Sequence, residues 1–131
     1  VLNPAETDVV EEVKKLTGGY GCDVYIHNSG HPSGVIQGLK MIRKLGTFVE
    51  FSVFSAETSV DWSIIGDRKE LNIKGSHISG LDGYRVAVNL LDKGLIKVDD
   101  IITHEFKLED FKTAFELAEK GEDSIKVLLV P

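Results

Sequence analysis

CDVYIHNSG (Cys22–Gly30), HPSGVIQGLKMIRKL (His31–Leu45) and GTFVEF (Gly46–Phe51) form one continuous stretch, and its reading decides the fold. The first piece is short, mostly apolar and rich in β-branched and aromatic side chains, and Asn28-Ser29-Gly30 stops it. That composition predicts a strand. The second piece opens with Pro32, which suits a first helical position because its missing N–H would lack an intrahelical partner anyway. Val35, Ile36, Leu39, Ile42 and Leu45 recur at helical spacing, and Gly46 is the expected left-handed stop. Thr47–Phe51 is again strand-like. Strand, helix and strand with short connections make a right-handed parallel crossover. In open parallel sheets, ligands lie beyond the carboxyl ends of the strands. Here that edge is near Asn28-Ser29 and Phe51-Ser52.

Working outward, Val1-Leu2 reads as a strand end. Asn3, Pro4 and Glu6 carry a helix-start signature, and Val9, Val10, Val13 and Leu16 make the expected buried stripe. Lys14 and Lys15 suit the negative helix end, and Gly18-Gly19 closes it. Beyond the central unit, 52–70 lacks clean periodicity, with Val60, Trp62, Ile64 and Ile65 available to pack a loop or helical turn. Leu71–Ser76 predicts a third strand of the sheet, tipped by Ser76-His77. Gly80–Gly83 predicts a turn. Tyr84, Ala87, Val88 and Leu91 then mark a helix that Gly94 closes. Ile101–Phe106 alternates as a strand, and Leu108, Phe111, Ala114, Phe115 and Ala118 form a helix ending at Gly121. Ile125–Val130 is the last strand. The order is α/β: an incomplete, Rossmann-like, doubly wound parallel sheet followed by a C-terminal helix and strand.

The 131 residues are 42% hydrophobic and 27% charged, with room for a core. A net charge of −6 without a Lys/Arg cluster argues against nucleic acid. No apolar run reaches membrane-spanning length and no signal-peptide pattern is present, so no membrane partner is expected. The single cysteine, Cys22, suits a reducing cytoplasm and reads as a small buried residue. The opening Val1-Leu2-Asn3, apolar and without methionine, suggests a piece of something longer.

The chemistry is sparser. Gly18-Gly19-Tyr20-Gly21 leads into a strand instead of a helix, so it is not a GxGxxG phosphate turn and reads as a helix stop. His104-Glu105 begins like HExxH, but Leu108 stands where the second ligand would be. His27 and His31 lie close in sequence without a cysteine or carboxylate placed to complete a metal site, and they read as surface polarity. His77 follows a strand tip and could touch a ligand. No Ser/His/Asp or Cys/His constellation is evident, and Asp61, Asp67, Asp99 and Asp100 read as caps and loop charges. No catalytic or metal-ligating residue is assigned.

Taken together, GGYGCDVYIHNSGHPSGVIQGLKMIRKLGTFVEFSVF, DRKELNIKGSH and ITHEFKLEDFKTAFELAEKGEDSIKVLLVP resemble the C-terminal part of zinc-dependent medium-chain dehydrogenases. The polyol, sorbitol and threonine branch is the nearest. The resemblance covers essentially the whole chain, and ITH-F-LED-AFE is its most specific piece. It departs at His27-Asn28, where relatives more often carry an acidic and a small residue before Ser/Thr-Gly.

The resemblance implies a parent oxidoreductase that moves a hydride between a polyol or secondary alcohol and NAD or NADP, with zinc in the parent as Lewis acid. The zinc ligands, proton relay, substrate pocket and glycine-rich phosphate turn lie, in that family, in segments that do not match this chain. The 131 residues would then be a partial dinucleotide-binding domain, inactive alone. Residues 95–131 would be a C-terminal segment that returns to the catalytic domain. Carried over by position, Asn28, Ser29 and Gly30 resemble the loop that passes the cofactor. Phe51, Ser52 and Val53 resemble the loop behind the nicotinamide, and Ser76 and His77 the next strand tip. Lys126 matches a basic position that approaches the cofactor in some relatives. In the family strand order, Val24–Ile26 would be an open edge, so self-association or a homo-oligomer is expected. The other reading is a stand-alone α/β module that binds a nucleotide or a protein without catalysis.

Overall fold

In the computed structural model, which describes Val1–Pro131, the chain begins with a turn and not with the end of a strand. Val1 and Leu2 are exposed and pair with nothing. The Asn3 side chain accepts the N–H of Ala5, and the Asn3 carbonyl accepts those of Glu6 and Thr7. The chain therefore folds back at Asn3 without continuing as a helix. The first helix, α1 (Val9–Leu16), starts five residues later, at Asp8. The Asp8 carboxylate accepts the N–H groups of Val10 and Glu11, two of the donors that a helix start leaves free. Of the expected stripe only Val10 is fully buried, and Leu16 is exposed. The helix ends as expected: Gly18 and Gly19 take positive φ (62° and 85°) and return their N–H groups to Lys15 and Lys14.

The central crossover is present. β1 (Cys22–His27), α2 (Pro32–Met41) and β2 (Ile42–Glu50) follow one another, and β2 pairs in parallel with both β1 and β3 (Asn72–Gly75). The sheet order is β1-β2-β3. Val24 to His27 stand opposite Thr47 to Glu50 in unbroken register. The core of this sheet is Val35, Leu39, Ile42 and Phe48, with Tyr25, Val60, Ile64, Ile65 and Leu71 packed around it. Cys22 also packs there, half-buried, and burial pushes its thiol pKa up. Asp61 caps the short turn Trp62–Ile64 through the Ser63 N–H, while Trp62 itself stays exposed.

α2 is one turn shorter than its apolar spacing implies. Ile42 is already extended (φ −67°, ψ 136°) and is 1% exposed in the core. The helix stop is a lysine and not Gly46. The Lys69 ammonium donates to the carbonyls of Leu39, Lys40 and Ile42 at 2.7, 2.9 and 2.6 Å, satisfying acceptors that a left-handed glycine motif would otherwise serve. The left-handed residue is Leu45 (φ 60°), whose N–H donates to the Lys69 carbonyl at 2.7 Å. Gly46 lies inside an irregularity of β2, where a Cβ would meet the carbonyls of Arg43 and Asp23 at 3.0 Å.

Val1–Ile78 form one compact unit and Ser79–Pro131 a second. In the second, α3 (Leu81–Asp92) is closed by Gly94, and its expected turn residues Gly80 and Gly83 stand at its cap and in its first turn. β4 (Ile102–Lys107) and α4 (Phe111–Lys120) follow, and Gly121 (φ 63°) caps α4. β5 (Lys126–Val130) pairs with β4 in parallel as a separate two-stranded sheet. No helix is long and apolar enough to cross a membrane.

Candidate functional site

β1, β2 and β3 all end on the same edge of the sheet, and the residues following them converge there. β1 and β2 finish with a cross-strand pair, His27 opposite Glu50. The backbone ties the three ends: the Phe51 N–H donates to the His27 carbonyl at 3.1 Å, and the Ser76 N–H to the Glu50 carbonyl at 2.9 Å. Gly30 has φ 66°, and its Cα faces the Val53 carbonyl so closely that any side chain there would collide with it. The loops after β1 and β2 are therefore in direct contact, and glycine is required for both reasons.

His27 organises this corner. Its ring is 1% exposed, so its placement as surface polarity is corrected: the strand's inward face ends on an imidazole. Nδ1 lies 2.9 Å from Glu50 Oε2 and 2.9 Å from Ser52 Oγ, and Nε2 lies 3.0 Å from Ser29 Oγ. Gly34, in the first turn of α2, makes room for the ring, since a Cβ there would meet Nε2 at 2.6 Å. The Phe54 ring packs 5.3 Å from it. Glu50 Oε1 also accepts the Ser52 N–H at 2.7 Å. Burial pushes the Glu50 carboxyl upward, but the Ser52 N–H, His27 and the Ser52 hydroxyl outweigh it and hold the group below its ordinary range.

Of the residues singled out from sequence, Ser29, Gly30, Ser52, Val53 and Ser76 are thus brought to one edge. Asn28 is exposed beside them, Phe51 and His77 are exposed at the tips of β2 and β3, and Lys126 begins β5 in the second unit. His31 does not join His27 around a shared ligand. It caps α2, with its Nδ1 accepting the Ser33 N–H at 3.2 Å. His27 and Glu50 were missed as site residues. The available signal was register: the parallel segments VYIH and TFVE, paired residue for residue, each end on a titratable side chain.

Beside Glu50 an apolar cavity of about 400 Å³ opens between α2 and the loop after β2. Val35, Leu39, Phe54 and Ile73 line it, and the Thr58 hydroxyl is buried without a hydrogen-bond partner. A larger cleft of about 750 Å³ carries Lys14, Lys40, Arg43, Lys44 and Arg68, but it lies at the start of β1 and β2, the opposite end from these loops. No group of three or more His, Cys, Asp and Glu is placed to hold a metal ion, so the residues present do not fit zinc.

The family model described as zinc-binding dehydrogenase matches residues 1–93. The chain is 45% identical to an erythritol/L-threitol dehydrogenase from Mycolicibacterium smegmatis over 99% of its own length and 36% of that protein's. Among solved structures, 2R,3R-butanediol dehydrogenase from Bacillus subtilis superposes with a TM-score of 0.86 at 26% identity, covering 99% of this chain and 37% of that one. An alcohol dehydrogenase from Escherichia coli CFT073, solved with NADH, superposes with a TM-score of 0.79 at 27% identity, covering 93% and 36%. The chain spans little more than a third of the length of these relatives.

Proposed function

The chain belongs to the zinc-binding dehydrogenase family, and from that premise we propose that its β1–β3 edge holds the nicotinamide side of an NAD or NADP cofactor. The observation that carries this is the convergence of Ser29, Gly30, Ser52 and Ser76 at the carboxyl ends of three adjacent parallel strands, tied through His27 and Glu50. The hydroxyls of Ser29 and Ser52 and the exposed backbone after β1 and β2 supply the polar contacts, and Gly30 lets the backbone come close. The reaction is hydride transfer between a small alcohol or polyol and that cofactor. A substrate of the erythritol type is favoured by the relative at 45% identity. When bound, the cofactor supplies the hydride chemistry, while these residues bind and orient it. On this reading, turnover needs residues beyond these 131. His77 is a candidate for a further cofactor contact, and the Glu50-flanked cavity lies next to the nicotinamide position.

Fluorescence titration with NADH tests the reading. The chain should bind NADH, and Ser52→Leu, which removes the hydroxyl beside His27 and adds bulk where the two loops meet, should weaken binding at least tenfold. Binding that Ser52→Leu leaves intact would place the cofactor elsewhere.

A further inference from the structure

The two ring nitrogens of His27 have different partners, and the difference fixes where the hydrogens lie. Nδ1 faces Glu50 Oε2 at 2.9 Å, while Nε2 faces Ser29 Oγ at 3.0 Å. An ionised carboxylate offers only lone pairs, so the hydrogen of a neutral imidazole must sit on Nδ1. A bare Nδ1 at that distance would set two lone pairs against each other. Ser52 Oγ, 2.9 Å from the same nitrogen, then accepts a share of the Nδ1 hydrogen. Nε2 is left as an acceptor, and the donor within reach is the Ser29 hydroxyl. Ser29 thereby commits its only hydrogen inward. One of its lone pairs receives the His31 N–H at 3.3 Å. The other is what this exposed side chain offers outward.

We infer that His27 is a positioning residue which, held by Glu50, fixes Ser29 as a hydrogen-bond acceptor, so that this corner takes an N–H or O–H donor from its ligand. A sugar hydroxyl or a carboxamide N–H meets that requirement. A ligand oxygen without hydrogen, such as a phosphoryl oxygen, does not. The inference rests on the proposed function for its ligand, but the hydrogen arrangement stands on the geometry of four side chains alone. The same pair holds Ser52, since Glu50 Oε1 accepts its N–H. One imidazole and one carboxylate thus set the polarity of both loops.

The test is a long-range ¹H–¹⁵N correlation spectrum of the imidazole rings in the full 131-residue chain at neutral pH, with His27→Gln used to assign the ring. The expected pattern is a protonated Nδ1 and a bare, hydrogen-bonded Nε2. In Ser29→Ala the Nε2 resonance should move toward the value of a free bare nitrogen while Nδ1 keeps its position, with the amide spectrum otherwise unchanged. In Glu50→Gln, whose amide can donate as well as accept, the single tautomer should give way to a mixture. A ring protonated on Nε2 in the unsubstituted chain, or an Nε2 resonance that Ser29→Ala does not move, would overturn the inference. Addition of NAD is a separate arm. If the ring pattern is as expected and NAD shifts Nε2 in the unsubstituted chain but not in Ser29→Ala, both readings gain. If the pattern is as expected and NAD shifts neither Nε2 nor the Ser29 amide, the hydrogen arrangement stands and the cofactor assignment fails.

Discussion

The two units of this chain carry the same kinds of element and differ in how they bury them. In Val1–Ile78, α2 lies on β1 and β2 over Val35, Leu39, Ile42 and Phe48, each at most 8% exposed. Two glycines of α2 permit that approach. Gly34 leaves room for His27 and Gly38 for Tyr25, whose hydroxyl donates to the Gly34 carbonyl at 3.0 Å. In Ser79–Pro131, β4 and β5 are joined by a parallel ladder, yet Ala114 is the one fully buried residue. The apolar face of α3 is exposed, with Tyr84 at 65% and Val88 at 64%. Backbone pairing and helical periodicity make elements, whereas a packed layer of side chains makes a core that can hold a buried His–Glu pair.

Removing a large side chain from each unit should have the most unequal consequences. Phe48→Ala should cost about 3–5 kcal/mol in urea unfolding, because a buried ring leaves a cavity that the sheet cannot close. Phe115→Ala, at 66% exposure on α4, should cost about 0.5 kcal/mol or less. Equal losses would mean that the second unit has a core of comparable weight. Next in size is Lys69→Met, which keeps the stem and removes the donor that serves three carbonyls at the end of α2. A loss of about 1–3 kcal/mol is expected. Urea midpoints unchanged by this substitution would show that water caps α2 equally well.

A smaller effect concerns acid. The folded-state pKa of Glu50 is below its unfolded value, so on acidification the unfolded chain binds this proton first. The stabilisation is fully present above the unfolded carboxylate value, about 4.3, and is lost as pH falls through the lower folded value. Stability measured across that window should therefore fall less steeply in Glu50→Gln than in the unsubstituted chain. An identical slope would remove Glu50 from the account of the corner.

The smallest effect on stability, though not on behaviour, is expected at the sheet edge. β1 pairs only with β2 and exposes Val24 at 54% and Ile26 at 63%, a template for a second chain. Sedimentation at rising concentration should show self-association that Ile26→Lys reduces. Association that is insensitive to this substitution would direct attention to the exposed face of α3.

Much of the fold was legible because its signals are local. Gly18-Gly19, Gly94 and Gly121 close three helices where their positive φ is needed, and the parallel pairing of β1 with β2 follows from strand–helix–strand order. The misses occurred where a distant residue decides. Asn3 has the chemistry of a helix cap, yet Asp8 caps α1. Ile42 continues the spacing of α2 but leaves the helix for the core, because Lys69, remote in sequence, takes over the capping. Ser29, Ser52 and Ser76 were placed at this edge from strand ends, and Gly30 and Val53 from the family resemblance. His27 and Glu50 were not, since their partnership exists only once two strands are in register.

Amide chemical shifts on titration with NAD report whether cofactor binds, as proposed, at the carboxyl ends of β1, β2 and β3. The amides of Ser29, Gly30, Ser52, Val53 and Ser76 should move first and saturate together. Shifts confined to the basic cleft around Lys14, Arg43 and Arg68 at the other end of the strands, with these five amides unmoved, would contradict the proposal.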